Sequence, residues 1–323
     1  RSTLFPYTTL FRSWLTLEGD ILHIGVKQWD LSKKRNVYLL GAGKACNHMA
    51  MAVDEVLGEK LTRGIAIVKV KEKTDVFNKT EVYVGGHPLP NEEGYRACKI
   101  ILDIVDNATS DDLFIVVISG GSSALMSCPI DGISLEDEIA VTDVMLKSGA
   151  NIYEINSIRR HISQMNGGML AKRIEARGAE LIGFGISDAV GSPGTGDIRI
   201  PYANYKGTPM GPDQTTLDEA RRVIRDYDVA DRLPRNVVDY IMNVGPEGET
   251  FKVFPHNTYF MLNMLPDSCR YAKEIAEEMG HSAFIVTSFL EGEARDAGTI
   301  FASFAREIQT VNQIGRASCR ERV

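Results

Sequence analysis

The sequence predicts an α/β fold: a doubly wound, mainly parallel three-layer α/β/α sheet of Rossmann-like type, followed by the start of a second, incomplete α/β domain. Three observations predict it. Short β-branched runs alternate with longer amphipathic segments, the pattern of βαβ units. The run LFIVVIS (113–119) lacks polar alternation, as suits a central strand buried on both faces. Glycine-rich turns at 41–44 and 119–123 each follow a strand candidate and precede a helix-compatible stretch.

In chain order, the strand candidates are NVYLL (36–40), GIAIVKV (64–70), EVYVGG (81–86), LFIVVIS (113–119), AELIGFGIS (179–187) and SAFIVTSFL (282–290). Amphipathic helix candidates fall at 44–57, 92–105, 135–147, 169–176, 217–227 and 268–279. The polar stretch 187–216 carries Gly and Pro throughout, and a loop of that length in a compact domain is usually functional. A helical block then runs to about Met242, and NVGPEGETFKVFP (243–255) reads as a domain linker.

The two ends fit no element. IGRASCRERV (314–323) can be encoded by ATCGGAAGAGCGTCGTGTAGGGAAAGAGTG. The reverse complement of that stretch, read in another frame and extended by a few bases, encodes RSTLFPYTTLFRS (1–13). One oligonucleotide in two orientations accounts for both, so 1–13 and 314–323 read as adapter-derived tails and are set apart from the fold. The expected organisation is therefore a Rossmann-like N-terminal domain over 14–242, a linker over 243–255, and the start of a truncated C-terminal α/β domain over 256–313.

The whole chain has a formal net charge of −7. Without the tails, 31 basic face 42 acidic residues, a net −11. Such a chain offers no basic face for nucleic acid or an anionic membrane. Cys46, Cys98, Cys128 and Cys269 are widely spaced without a Cys-x-x-Cys and read as free thiols of a reducing cytoplasm. No apolar run approaches the length of a transmembrane span.

Gly41, Gly43 and Lys44 lie where a strand turns into a helix. There, backbone N–H groups and a lysine can hold a phosphate or carboxylate; the alternative is a tight turn with a solvated lysine. This is not a dinucleotide fingerprint, since Lys69 and Lys71 stand where an acid is required at the end of the next strand. Nor is it a phosphate loop of P-loop type, which needs a longer glycine spacing. Ser119, Gly120, Gly121, Ser122 and Ser123 offer two glycines and three hydroxyls as an anion nest, or else a capped turn. Leu125 excludes a hydrolase nucleophile elbow. Asn156, Arg159, Arg160 and Ser163 share one side if their segment is helical, and the arginines can clamp an anion or form a solvated face.

Asp188 follows a strand end, and Asp213 precedes a helix that Thr215 or Thr216 would cap. The two aspartates could hold Mg²⁺ through water beside a nucleotide, with capping or turn formation as the alternative for Asp213. His87, between Gly86 and Pro88, is expected to be structural. Glu291, Glu293 and Arg295 form either a site edge or a surface ion pair.

GAGKA, GGHPLP, SGGSSALM, INSIRRHIS with NGG, ISD, GPDQTT and EGEAR occur here in an order that resembles the glycerate 2-kinase family (MOFRL-associated, DUF4147) over residues 36–300. The resemblance implies a two-domain α/β kinase that uses ATP and Mg²⁺ to phosphorylate the 2-hydroxyl of glycerate in a cleft between domains. It implies Lys44 at the phosphate or substrate site, an anion cradle at Ser119–Ser123, and Asn156 and Arg159 near substrate. Asp188 and Asp213 would lie near metal or nucleotide. We take Lys44, Arg159 and Asp188 as the catalytic set and Gly41 and Gly43 as part of the anion site.

GTPMGPDQTT and the segment 192–207 depart from the family's usual pattern, which leaves room for a related small hydroxy acid. The family continues past EGEAR through a Gly-rich stretch, so this chain is expected to be a fragment incomplete for catalysis. Expected partners are the hydroxy acid, a nucleotide and a second copy of the chain, paired through an exposed strand edge. The alternatives are a nicotinamide-dependent hydroxypyruvate reductase and a non-catalytic module that binds small anions.

Overall fold

The structure is a computed structural model that describes residues 14–203, 205, 209–253 and 257–315; of 312–315 only the backbone is described. The tail 1–13 and residues 316–323 of the other tail lie outside the described residues. Contacts divide the chain into two units, Arg1–Ile186 with Asp197–Leu262, and Ser187–Gly196 with Asn263–Val323.

The first unit opens with an antiparallel meander, β1 (Leu15–Glu18), β2 (Ile21–Ile24) and β3 (Lys27–Asp30). Its short runs turn at Gly19 and bury Leu15, Leu22, Ile24 and Trp29. The main sheet contains β4 (Asn36–Gly43), β5 (Arg63–Val68), β6 (Thr80–Val84), β7 (Asp112–Ile118), β8 (Glu180–Ile186) and β9 (Thr258–Asn263). Their order is β6-β5-β4-β7-β8-β9, and β4 to β8 pair in parallel. The chain thus winds outward from β4 to β6, returns to lay β7 beside β4, and winds outward the other way. β7 is buried at every position, as the absence of polar alternation requires.

Alternate residues of these strands face opposite layers. Leu39, Ala66, Ile115, Val117 and Phe184 pack with the meander and with α1 (Cys46–Leu57). On the other face lie α2 (Glu92–Asp106) and, beyond the short α3 (Ser122–Leu125), the helix Met169–Ala176. A second core joins α4 (Leu135–Ser148), α5 (Ile152–His161), α7 (Leu217–Asp226) and α8 (Arg235–Asn243), with α6 being Met169–Ala176. Capping boxes start three of these helices: Ser134 with Asp137, Asn151 with Glu154, and Thr216 with Glu219. Cys46, Cys98 and Cys128 are buried free thiols; burial raises all three, Cys128 to about 11. Among the described residues no helix is long and apolar enough to cross a membrane.

Three expectations change. The segment from 256, expected to begin a second domain, instead supplies β9, a strand absent from the sequence candidates, at the edge of the first sheet. The expected linker contributes buried Thr250 to the first unit. In the second unit, α9 (Leu265–Glu278) and α10 (Ala294–Gly315) are helical, but 282–290 is not a strand. Phe284, Val286 and Phe289 are exposed there, and among the described residues no strand of that unit offers backbone partners. Within the unit, Asp267 Oδ2 accepts the Thr195 N–H at 2.9 Å and the Met264 N–H at 3.1 Å, tying the loop 187–196 to the start of α9.

Candidate anion site at the ends of β4 and β7

Where strand order reverses, the loops after two adjacent parallel strands leave toward opposite layers and open a crevice between them. Here those strands are β4 and β7. Their loops carry Lys44 and Ser119–Ser123, and backbone hydrogen bonds join them. The Ser119 N–H donates to Ala42 O at 3.0 Å, and the Lys44 N–H donates to Gly120 O at 2.9 Å. Ser119 Oγ accepts the Ala45 N–H at 2.9 Å. This approach requires Gly43, whose φ is +137° and where an added Cβ would lie 2.1 Å from Ser119 Oγ and 2.7 Å from Ser119 O. Gly41 has a packing role instead, its open side filled by Cys46 Sγ and Val117.

Lys44 is exposed at this junction. Ser119 and Ser122 are buried, and the Ser122 N–H donates back to Ser119 O at 3.3 Å. Gly120, Gly121 and Ser123 are half-buried, and their N–H groups are not among these donors. The structure therefore brings together Gly43, Lys44 and Ser119–Ser123. It adds His87, from the loop after β6: a Cβ at Gly121 would lie 2.7 Å from His87 Cδ2 and 3.3 Å from Lys44 Cγ. The sequence flagged His87 only by its neighbours, Gly86 and Pro88.

Arg159 approaches the same loop from inside the protein. Its Nη2 donates to Ser123 O at 3.1 Å and lies 3.5 Å from Glu138 Oε1, with the two side chains 7% and 0% exposed. Asn166 Nδ2 donates to the same carbonyl at 3.1 Å. Glu138 also accepts the Ser127 hydroxyl, and burial raises its carboxyl despite the nearby Arg159. Arg159 thus positions the loop from behind. Asn156 is half-buried on α5, three residues before it.

Arg160 diverges from Arg159. Its Nη1 donates to Asp213 Oδ1 at 2.6 Å. Asp213 Oδ1 also accepts the Thr215 N–H at 3.1 Å, while Oδ2 accepts the hydroxyls of Thr215 at 2.7 Å and Thr250 at 2.8 Å. Burial pushes this carboxyl up, but Arg160 and the two threonines outweigh it and hold it below the usual range. Both oxygens are occupied by protein donors, so Asp213 has the arrangement of a turn-forming hub and fits a cation poorly. Asp188 is exposed and belongs to the second unit. Among the described residues no group of three or more His, Cys, Asp or Glu is placed to hold a metal. Glu291, Glu293 and Arg295 are exposed, and Arg295 lies 3.9 Å from Asp296, a surface pair.

Beside Asp213, Glu249 accepts from His161 Nε2 at 2.9 Å and from the Leu217 N–H at 3.0 Å, and pairs with Lys252 at 3.0 Å. Burial raises its carboxyl, but these donors lower it further, to about 2 from 4.5. A depressed folded value adds stability above pH 4.5 that is lost as pH falls through about 2. Glu249→Gln should therefore lower Tm at pH 7, with the gap to the parent narrowing steadily below pH 4.5. Thermal melts across that range check this, and a gap independent of pH would contradict it.

Residues 6–242 match the family described as Domain of unknown function (DUF4147). The glycerate 2-kinase of Pyrococcus horikoshii is 35% identical over 309 residues, covering 94% of this chain and 66% of that protein. The D-glycerate 2-kinase of Thermotoga maritima is 32% identical over 275 residues, covering 84% of this chain and 61% of that protein. This chain therefore spans about two thirds or less of the length of these relatives. A crystal structure of a Pyrococcus horikoshii protein superposes with a TM-score of 0.71 at 34% identity, covering 96% of this chain and 68% of that one. The match of fold, the ordered glycine-rich loops and the extent of the family match lead to one conclusion: the chain belongs to the DUF4147 family.

Proposed function

We propose that this chain carries the acceptor side of a glycerate kinase-like phosphotransferase, which moves the γ-phosphoryl group of ATP to the 2-hydroxyl of D-glycerate or a related small hydroxy acid. The observation that carries the reading is Lys44 and the 119–123 loop meeting at the switch point of the sheet. Relatives named glycerate 2-kinase support the reaction class.

In this reaction the acceptor oxygen forms the new O–P bond as the bond to the ADP oxygen breaks. Catalysis then rests mainly on positioning and charge neutralisation. Lys44 supplies a positive charge at the mouth, and the loop amides orient an anionic oxygen. Arg159 and Asn166 hold the loop through Ser123 O. Among the described residues no group of three or more carboxylate, histidine or cysteine ligands is placed as a resident Mg²⁺ centre. Magnesium, which neutralises nucleotide phosphates when bound, would arrive with the nucleotide. Small acidic partners suit the reading, as does the cytoplasm, where the buried thiols stay reduced.

The test is isothermal titration of this chain with D-glycerate, together with ³¹P NMR of a full-length family member with ATP, Mg²⁺ and D-glycerate. A phosphomonoester resonance matching 2-phosphoglycerate is expected. Glycerate-independent ATP hydrolysis, or no turnover together with no saturable binding of D-glycerate, would contradict the reading.

A further inference from the structure

We infer that His87 contacts the ligand's carboxylate or phosphate in this site, beside Lys44; the inference rests on the hydroxy-acid reading above. The loop holding His87 lies against the 119–125 segment because three positions lack a side chain. A Cβ at Gly85 would stand 2.9 Å from Leu125 Cδ2, and one at Gly94 would stand 2.8 Å from Leu125 O. At Gly121 it would meet His87 Cδ2 at 2.7 Å, His87 Nε2 at 3.0 Å and Lys44 Cγ at 3.3 Å. Gly121 itself has a φ of +87°, which also favours glycine. The far side of the loop is fastened by Asn91, whose Nδ2 donates to Val84 O at 3.0 Å while its Oδ1 accepts the Gly94 N–H at 2.9 Å.

The Cδ2–Nε2 edge of the imidazole and the stem of Lys44 therefore cover one face of Gly121, and the ring is half-buried. This geometry gives the two side chains different tasks. Lysine is a mobile point charge on a flexible stem. An imidazole N–H is a directed donor whose ring is held in place by its loop. A small acid with adjacent carboxylate and hydroxyl groups needs both an attractive charge and a fixed direction, because transfer depends on which oxygen faces the phosphoryl group.

The experiment is isothermal titration of the protein with D-glycerate and with 2-phosphoglycerate, run on the parent, His87→Ala, His87→Gln and Lys44→Ala, with Tm measured for each. His87→Ala should weaken binding by about 10- to 100-fold, the effect of losing a hydrogen bond to a charged group. Its Tm should stay near the parent's, and His87→Gln, which keeps an N–H donor, should recover part of the affinity. If the parent binds neither probe, or Lys44→Ala binds as the parent does, the hydroxy-acid reading falls and this inference with it. If Lys44→Ala loses affinity while His87→Ala binds normally, the His87 inference alone is overturned. Should His87→Ala lower both Tm and affinity, the imidazole ¹H–¹³C resonance of the parent decides. A shift on saturation with 2-phosphoglycerate supports the contact, and an unmoved resonance overturns it.

Discussion

Lys44→Ala, made at the equivalent position of a full-length family member, should lower phosphoryl transfer by two orders of magnitude or more, roughly the effect of removing one preorganised charge from a transition state. Lys44 is exposed, so the change removes a charge without opening a core cavity. Its backbone N–H still donates to Gly120 O, so the link between the β4 and β7 loops should survive. Tm should move little, and the loss should show in turnover and in affinity for 2-phosphoglycerate. Lys44→Arg is informative beside it: the charge remains, but a planar fork replaces a point charge, so binding should recover more than turnover. Near-normal turnover in Lys44→Ala would remove the residue from the site.

Arg159→Ala should act on stability, lowering it by about 3–5 kcal/mol, the range for removing one partner of a buried ion pair. It leaves the Glu138 carboxylate, 0% exposed, with the Ser127 hydroxyl but no countercharge. It also leaves Ser123 O with Asn166 as its remaining side-chain donor. Because burial already raises Glu138, the variant's carboxyl can take up a proton, which places the result at the low end of that range at acidic pH. A double variant, Arg159→Met with Glu138→Leu, should be closer to the parent in urea denaturation than Arg159→Ala, because no charge is left buried. It should still lose substrate affinity, since the loop loses its guanidinium anchor. An additive double variant would show that the two residues are energetically independent.

Those two residues illustrate how far the sequence could be read. The strands β4 to β8 were legible because short β-branched runs alternate with longer amphipathic segments. Lys44 and the serine loop were legible because a strand, a glycine turn and a helix follow one another in sequence. The position of Arg159 was not: helical spacing places it beside Arg160 and predicts a shared clamp. The fold separates them, sending Arg159 to Ser123 O and Arg160 to Asp213. Spacing reports a common helix side, whereas the partner depends on residues 36 and 53 positions away in the chain.

Asp213 shows the same limit, since the donors that fill its oxygens include Thr250 from a segment read as a linker. The meander was missed because each strand is only four residues long, too short for periodicity to register. The motif GGHPLP by itself points to a structural His87, and nothing local to it reveals that Gly121 faces the ring.

The most direct test of the central claim is a crystal structure of the protein with 2-phosphoglycerate bound. The account predicts the ligand at the carboxyl ends of β4 and β7, with an anionic oxygen within hydrogen-bond distance of Lys44 Nζ and another facing the 119–123 backbone. A ligand bound away from these loops, with Lys44 turned to solvent, would contradict it.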